Sequence, residues 1–397
     1  MLIKSHIIKL NPTKSQEIFF KKSCGVARFA YNWALAKWKL DYENGIKNNS
    51  AYTLIKYLNS IKKTEYSWMQ ETGKTCSQHA IHNVEKAFKL FFNKKAKYPK
   101  FHKKGDKDRF VAVENITSFK QQDFKIRIPR LGWVKCTENL RFEGKVNNVV
   151  VKRVADMWFA VVNVQIEDIP IDKPIISENQ TVVGIDMGIK SMMVLSDGTV
   201  YENPKVLRSN LKSLKRLQRG LNRKVKGSSN RKKQITKVAR KHYRISCIRK
   251  NAIHQATTEI VNKYDKIIIE TLKPENMLKN HKLAQVIGDV SFGEIARQLA
   301  YKAQWQGKEL VKADQWFASS KLCSHCGHKK EKLTLCERTY KCKSCGLVID
   351  RDLNAAINLA NYSPTSKSEG CEACGEVMEE TQSGSVKQEL EINSVNF

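Results

Sequence analysis

Apolar and polar positions change rhythm several times along the chain. Residues 1–10 alternate and predict a strand, which Pro12 ends. Phe19, Phe20, Val26, Phe29, Ala30 and Trp33 then recur at helical spacing, with Ser15 placed to cap that helix. A second helical stretch covers residues 52–62. A third covers 77–95, where Ala80, Val84, Ala87, Phe88, Phe91 and Phe92 share one side as core-packing residues. From Tyr98 the segments turn short, alternating and β-branched (FKIRIPRLGWVKC, KVNNVVVKRVA, MWFAVVNVQIE), which predicts a small barrel or sandwich over about residues 98–170.

The Pro-containing stretch IEDIPIDKPIISENQ reads as a linker, and a new domain begins at Thr181. TVVGIDMGIKSMMVLSDGTVYEN predicts two or three strands joined by Gly turns. Leu207, Leu211, Leu214, Leu217 and Leu221 keep a helical period and predict a helical hairpin broken near Gly227, Ser228 and Ser229. DKIIIET then predicts a buried strand, GEIARQLAYKAQWQG a helix and KELVKADQWF another strand, an alternation that indicates an α/β core. The tail after Asn361 is acidic and Ser-rich, and is expected to be disordered.

Charge changes this picture. The 397 residues carry a formal net charge of +32. Residues 362–397 hold seven Glu against Lys367 and Lys387, so residues 1–361 carry +37. A folded body with that self-repulsion is stabilised by a polyanion, and nucleic acid gains further from counterion release. Residues 205–250 contain 18 Lys or Arg and no acid, whereas a merely solvated helix face mixes signs. This segment predicts an arm that tracks phosphates. No run of 18 apolar residues and no signal-peptide pattern occurs, so the expected place of work is the cytoplasm, or the nucleoid when bound to DNA.

Two constellations carry chemistry. Cys323 and Cys326 are followed after 15 residues by Cys342 and Cys345, each pair just before a Gly, which is zinc-ribbon spacing. Four thiolates leave no open position, so this zinc would be structural. Cys371 and Cys374 have no second pair, and Cys336 and His325 fall off the pattern. The second constellation is acidic. Asp186 interrupts an apolar strand, Glu270 ends the run KIIIE, and Asp350 and Asp352 precede the helical LNAAINLAN. A carboxylate in an apolar strand costs several kcal/mol unless it is paired. Asp350 or Asp352 alone could simply cap the helix. Three acids meeting at one sheet end would instead demand divalent cations, and all-oxygen ligands suit Mg²⁺ or Mn²⁺.

GIDMGIKSMMVLSDG, IIIETLKPENM, the two CxxCG pairs and DRDLNAAINLA occur in that order, behind LNPTKSQ…GVARFAYNWAL, KAFKLFF…YPKFHKK and PRLGWVK. Together they resemble TnpB proteins, the RuvC-like nucleases of insertion-sequence transposons and relatives of the type V CRISPR effectors. The resemblance implies a multidomain α+β fold. A wedge β-barrel would take residues 1–12 and 98–175, interrupted by a helical recognition domain at 13–97. An RNase H-like (RuvC) α/β nuclease domain would span 176–361, with the basic insert at 205–250 and the zinc ribbon at 319–348. Residues 362–397 would be the tail. It further implies RNA-guided cleavage of double-stranded DNA with two Mg²⁺ (or Mn²⁺) ions. The metal triad would be Asp186, Glu270 and Asp352, and the zinc ligands Cys323, Cys326, Cys342 and Cys345. The implied partners are a transposon-derived guide RNA, the DNA target and a transposase from the same element. Tyr52, Lys74 and Gln78 match positions that read a short DNA motif beside the target, although Tyr52 could equally pack in the core and Lys74 be a surface charge. Two alternatives remain open: a strand-joining transposase, and a repressor that binds DNA through RNA without cutting.

Overall fold

The computed structural model describes residues 2–46, 49–105, 108–114, 119–166, 180–334 and 337–363. The expected linker (mostly residues 167–179) and tail, with Cys371 and Cys374, lie outside the described residues, as does Cys336. The chain divides into two compact units, Met1–Ile169 and Pro170–Phe397.

The first unit opens with β1 (Leu2–Asn11) and α1 (Lys14–Glu43). The cap of α1 is Thr13, not Ser15. Thr13 Oγ1 accepts from Gln16 N at 3.3 Å while Gln16 Oε1 accepts from Thr13 N at 3.0 Å. This reciprocal box needs a Gln or Glu three residues after the cap, which Thr13 has and Ser15 lacks. Then come α2 (Ala51–Ile61), capped by Ser50, and α3 (Lys74–Phe92). α3 starts three residues before the predicted Ser77. It ends before Lys95 because Lys94 takes a left-handed φ of 57°.

Six strands follow: β2 (Arg109–Glu114), β3 (Gln121–Gln122), β4 (Lys125–Ile128), β5 (Gly132–Cys136), β6 (Lys145–Val154) and β7 (Met157–Ile166). With β1 they form one seven-stranded antiparallel sheet in the order β2-β6-β7-β1-β5-β4-β3. β1 lies between β7 and β5, in register from Leu2 opposite Ile166 to Leu10 opposite Trp158. The first ten residues thus complete a sheet whose other strands come a hundred residues later. α1 seals it by packing Phe20 on Trp158 and Phe110, with ring centres 5.0 and 5.8 Å apart.

The second unit begins with β8 (Val182–Asp186), β9 (Ser191–Leu195) and β10 (Val200–Glu202). The basic segment is a hairpin of α4 (Val206–Asn222) and α5 (Ser229–Lys263), closed by buried Leu214, Leu221 and Val238. α5 runs past the predicted end at Lys250, because Ile253, Ala256, Ile260 and Val261 belong to the core of the sheet. After it come β11 (Lys266–Ile269), α6 (Pro274–Met277), α7 (Ala284–Val290), α8 (Phe292–Trp305), β12 (Glu309–Lys312), β13 (Thr339–Lys341), β14 (Val348–Asp350) and α9 (Arg351–Ala360).

The main sheet has the order β10-β9-β8-β11-β12. β9 is antiparallel to its neighbours, while β8, β11 and β12 run parallel, so their carboxyl ends share one edge. α9 lies directly on β8 at Gly184. A Cβ there would fall 2.1 Å from Ala356 O and 2.3 Å from Ala360 N, both backbone atoms that cannot yield alone. Gly184 is therefore what lets α9 reach the sheet. Among the described residues no helix is long and apolar enough to cross a membrane.

Replacing Gly184 by Ala should push α9 off β8 and cost at least about 1–3 kcal/mol. Gly293→Ala, at a helical site with nothing within 4 Å of the added carbon, serves as the control and should hold or slightly raise stability. Thermal denaturation of both variants checks this, and equal melting temperatures would contradict the close-approach argument.

Candidate active site and metal centre

The parallel register places Ile185 beside Ile269, so Asp186 and Glu270 leave their strands side by side. Glu270 Oε1 accepts the Met187 N–H at 3.2 Å, which fixes the carboxylate against the end of β8. From the other side, α9 brings Asp350 and Asp352. Asp350 is the cap: its Oδ1 accepts from Asp352 N at 2.9 Å and from Leu353 N at 3.1 Å. Asp352, in the first turn, is free of capping and half-buried.

The carboxyl groups of Asp186, Glu270 and Asp352 feel one another. Burial, then Glu270, Asp352 and Asp350, raise Asp186 well above the usual carboxylate range, against a smaller pull from Arg351. Burial likewise lifts Glu270 to about 7, with Asp352 adding to the rise and the Met187 N–H opposing it. Such crowding of acids is the signature of a site that needs positive charge. Part of that charge is arginine. Arg351 donates to Asp352 Oδ1 from Nε at 3.1 Å and Nη2 at 3.0 Å, and Arg338 Nη1 stands 3.8 Å from Oδ2. Asp352 is thereby drawn toward the guanidinium groups. Among the described residues only the four cysteines form a ligand set whose atoms all lie within 4.8 Å of one another. The donor set of the acids, three carboxylates of which burial raises two above their usual range, suits a hard divalent cation such as Mg²⁺ or Mn²⁺.

Cys323, Cys326, Cys342 and Cys345 do form a closed set. Sγ of Cys323 lies 3.6 Å from that of Cys345, and Sγ of Cys326 lies 3.6 Å from that of Cys342. The edge of a tetrahedron with Zn–S bonds of 2.3 Å is roughly 3.8 Å. Each pair sits on a tight turn. Gly327 and Gly346 supply φ values of 70° and 75°, and the Cys323 and Cys342 N–H groups reach His328 O and Leu347 O. Backbone N–H groups of Cys345 and Ser344 hold the Cys342 thiol down to about 6. Cys345, although the Leu347 N–H pulls it down, is pushed up to about 12 by burial and the other three sulfurs. Four thiolates cannot coexist here without a cation, and the geometry fits zinc. The ribbon is tied to α9, since Asn354 Nδ2 donates to Leu322 O at 2.7 Å and Asn354 Oδ1 accepts from Ser324 N at 3.0 Å.

Tyr52, Lys74 and Gln78 lie in the first unit, on α2 and the first two turns of α3. Tyr52 is 75% exposed, so the core-packing alternative fails for it. Lys74 is exposed and Gln78 half-buried. Sequence reasoning passed over Arg338, Arg351 and Asp289. Buried Asp289 on α7 accepts from Leu207 N at 3.0 Å and approaches Arg249 at 3.8 Å, pinning both helices of the basic hairpin. An acid in the otherwise apolar IGDVSF was the available signal for it.

Comparison with known proteins decides the family. A protein of Escherichia coli (strain K12) named "Putative RNA-guided DNA endonuclease InsQ" is 32% identical over 94% of both chains. Another, from Streptomyces pristinaespiralis and named "Putative RNA-guided DNA endonuclease", is 35% identical over 88% of this chain and 86% of its own length. The OrfB_IS605 family model, described as "Probable transposase", matches residues 162–281. The chain belongs to the TnpB/OrfB_IS605 family. A second model, described as "Cas12f1-like, TNB domain", matches residues 292–359, from α8 through the cysteine ribbon to α9 of this TnpB-family chain. A third, described as "Helix-turn-helix domain", matches residues 1–47, where the described residues form a strand and one uninterrupted helix. The solved structure titled "Cryo-EM structure of the Cas12f1-sgRNA-target DNA complex" shares the multidomain α/β fold, with a TM-score of 0.56 and 18% identity over 88% of this chain and 83% of that one.

Two outcomes are expected of the site. Asp186 and Glu270 titrate above their unfolded values, so their contribution to stability is full at low pH and is lost as pH rises; for Glu270 the window runs from about 4.5 to about 7. Its share is on the order of 3 kcal/mol. The metal-free chain should thus lose melting temperature across that window more than its Glu270→Gln variant does, and millimolar Mg²⁺ should narrow the gap at pH 8. Identical profiles would remove Glu270 from the cluster. For the ribbon, elemental analysis should find one zinc per chain. Chelation should expose residues 319–348 to protease, because binding of such an ion supplies about 10–16 kcal/mol of ordering.

Proposed function

We propose that this chain is an RNA-guided DNA endonuclease that hydrolyses phosphodiester bonds of a double-stranded target beside a short flanking motif. The observation that supports the reading best is the parallel register that brings Asp186 and Glu270 out of β8 and β11 side by side, with Asp352 close enough for its charge to raise both. The strand order, with three antiparallel strands followed by two parallel to the first of them in sequence, supports an RNase H-like (RuvC) nuclease domain. The division at residue 169 and the insertion of β1 among later strands support a wedge domain interrupted by the helices.

Asp186, Glu270 and Asp352 would hold two Mg²⁺ or Mn²⁺ ions. Such a pair, when bound, activates water and stabilises the leaving 3′ oxygen. The chain's own residues prepare that site. The Met187 N–H orients Glu270, Gly184 admits α9, and Asp350 caps α9 so that Asp352 stays available. Arg351 holds the charge of Asp352, which would turn from the guanidinium to help hold a cation. Zinc on the four cysteines would fix the ribbon against α9 and so the position of Asp352. The basic hairpin would follow the guide RNA backbone, while base pairing reads the target and Tyr52, Lys74 and Gln78 read the flanking motif. That partition explains why so large a positive charge has so little acidic compensation in residues 205–250.

The test begins with sequencing the RNA that copurifies with the protein, then supplies matching DNA and Mg²⁺. Wild-type complex should cut, and Asp186→Ala should cut at least about 10³-fold more slowly while still binding. Binding should weaken by about 10³–10⁵ between roughly 50 and 200 mM salt for 6–10 phosphate contacts. A wild-type complex that binds its target and never cuts would make the protein a repressor. Strand joining without any RNA would make it a transposase.

A further inference from the structure

Trp316 is 84% exposed, more than any other large apolar side chain among the described residues. Leaving an indole in water forfeits burial energy, and a slack loop would be a bland reason for it. This turn is not slack. Asp314 Oδ1 accepts from Trp316 N at 2.7 Å, and Asp314 O accepts from Phe317 N at 3.0 Å. Phe317 meets Tyr362 edge-on with ring centres 4.8 Å apart, and the Tyr362 hydroxyl accepts from Asp314 N at 3.2 Å. The chain therefore builds a braced turn in order to hold an aromatic side chain outward.

The braces lead to the acid site. Thr271, the residue after Glu270, donates from Oγ1 to Ala313 O at 2.6 Å. On the other flank, Asn358 of α9 donates to Ser319 O at 2.7 Å. β11 and β12 are in register at Ile269 and Lys312, so Ala313 leaves the sheet level with Glu270. Trp316 follows three residues later, at most about 10 Å of chain from there. It is thus displayed at the same sheet edge as the carboxylates, on a turn fixed to the elements that carry two of them.

We propose that Trp316 is a stacking platform for one unpaired base of the DNA strand that enters the acid site. The inference rests on the endonuclease reading. On that reading guide pairing frees a DNA strand from its duplex, and such a strand presents bare π-faces. An exposed indole takes any of them, which suits an enzyme whose sequence reading lies elsewhere. Lys312, exposed at the end of β12, stands where a neighbouring phosphate would pass.

The experiment uses the full chain with its copurified RNA, in the Asp186→Ala background so that DNA survives. Single-stranded DNA carrying 5-iododeoxyuridine is photocrosslinked, and the attached peptides are mapped. Affinity for the same strand without the halogen is measured alongside. A crosslink on Trp316 is expected. Trp316→Ala should weaken single-strand binding roughly five- to one-hundred-fold, the range one base–aromatic stack provides, and leave binding of a duplex of equal length unchanged. Trp316→Phe should recover most of the loss, and zinc content and melting temperature should match the parent in both. Crosslinks that avoid this turn, or Trp316→Ala binding the single strand as the parent does, would overturn the proposal. Equal loss on single strand and duplex would also overturn it, since that would mark a general distortion. These readouts need no cutting, so a failure of the nuclease reading shows itself separately as a wild-type complex without cleavage.

Discussion

The site depends on one close approach: α9 lying on β8 where Gly184 has no side chain. Interior packing tolerates no loose fit, so the absence of one carbon sets the distance between a helix and a strand. That distance brings Asp352 to the sheet edge where β8 and β11 already deliver Asp186 and Glu270. The fold thus holds like charges together against their repulsion. The stress shows in the raised affinity of Asp186 and Glu270 for protons, which burial leads and the neighbouring acids add to, and in the pairing of Arg351 with Asp352. Divalent cations would relieve such an arrangement, which is what the proposed metal-dependent site requires.

The two sets of metal-type ligands follow different logics. The four sulfurs are a finished cage on two glycine turns, with nothing left over for substrate. The carboxylates, on the proposed reading, would need Asp352 to leave Arg351 and Arg338 before they could share a cation. These are linked through the ribbon: Arg338 comes from the segment between the cysteine pairs, and Asn354 ties the first pair to α9. Structural and catalytic metal would therefore be coupled, with the ribbon helping to set where Asp352 stands. Asp289 does the corresponding work for the basic hairpin, anchoring a highly charged element to a neutral core.

Much of this was legible in the sequence where the signal is local. The cysteine spacing marks a ribbon, apolar runs mark β8 and β11, and one-sided charge marks the hairpin. The signal fails where geometry over one or two residues decides. Ser15 and Thr13 look alike as caps until the Gln16 partner is counted. Asp350 and Asp352 look alike until one is seen bonding two N–H groups at the helix start. Arg338, Arg351 and Asp289 act through contacts between distant segments, which no single stretch records. Exposure is equally hidden: Tyr52 follows a helical period and yet stands in solvent. The seven-stranded sheet is the largest such case, because β1 pairs with strands more than a hundred residues away.

The account's central claim is that Asp186, Glu270 and Asp352 share divalent cations. The most direct measurement is anomalous scattering from crystals of the RNA-bound protein equilibrated with Mn²⁺. The account predicts peaks between the three carboxylates, with Asp352 turned away from Arg351. Peaks only elsewhere, with the Arg351–Asp352 pairing intact, would contradict it.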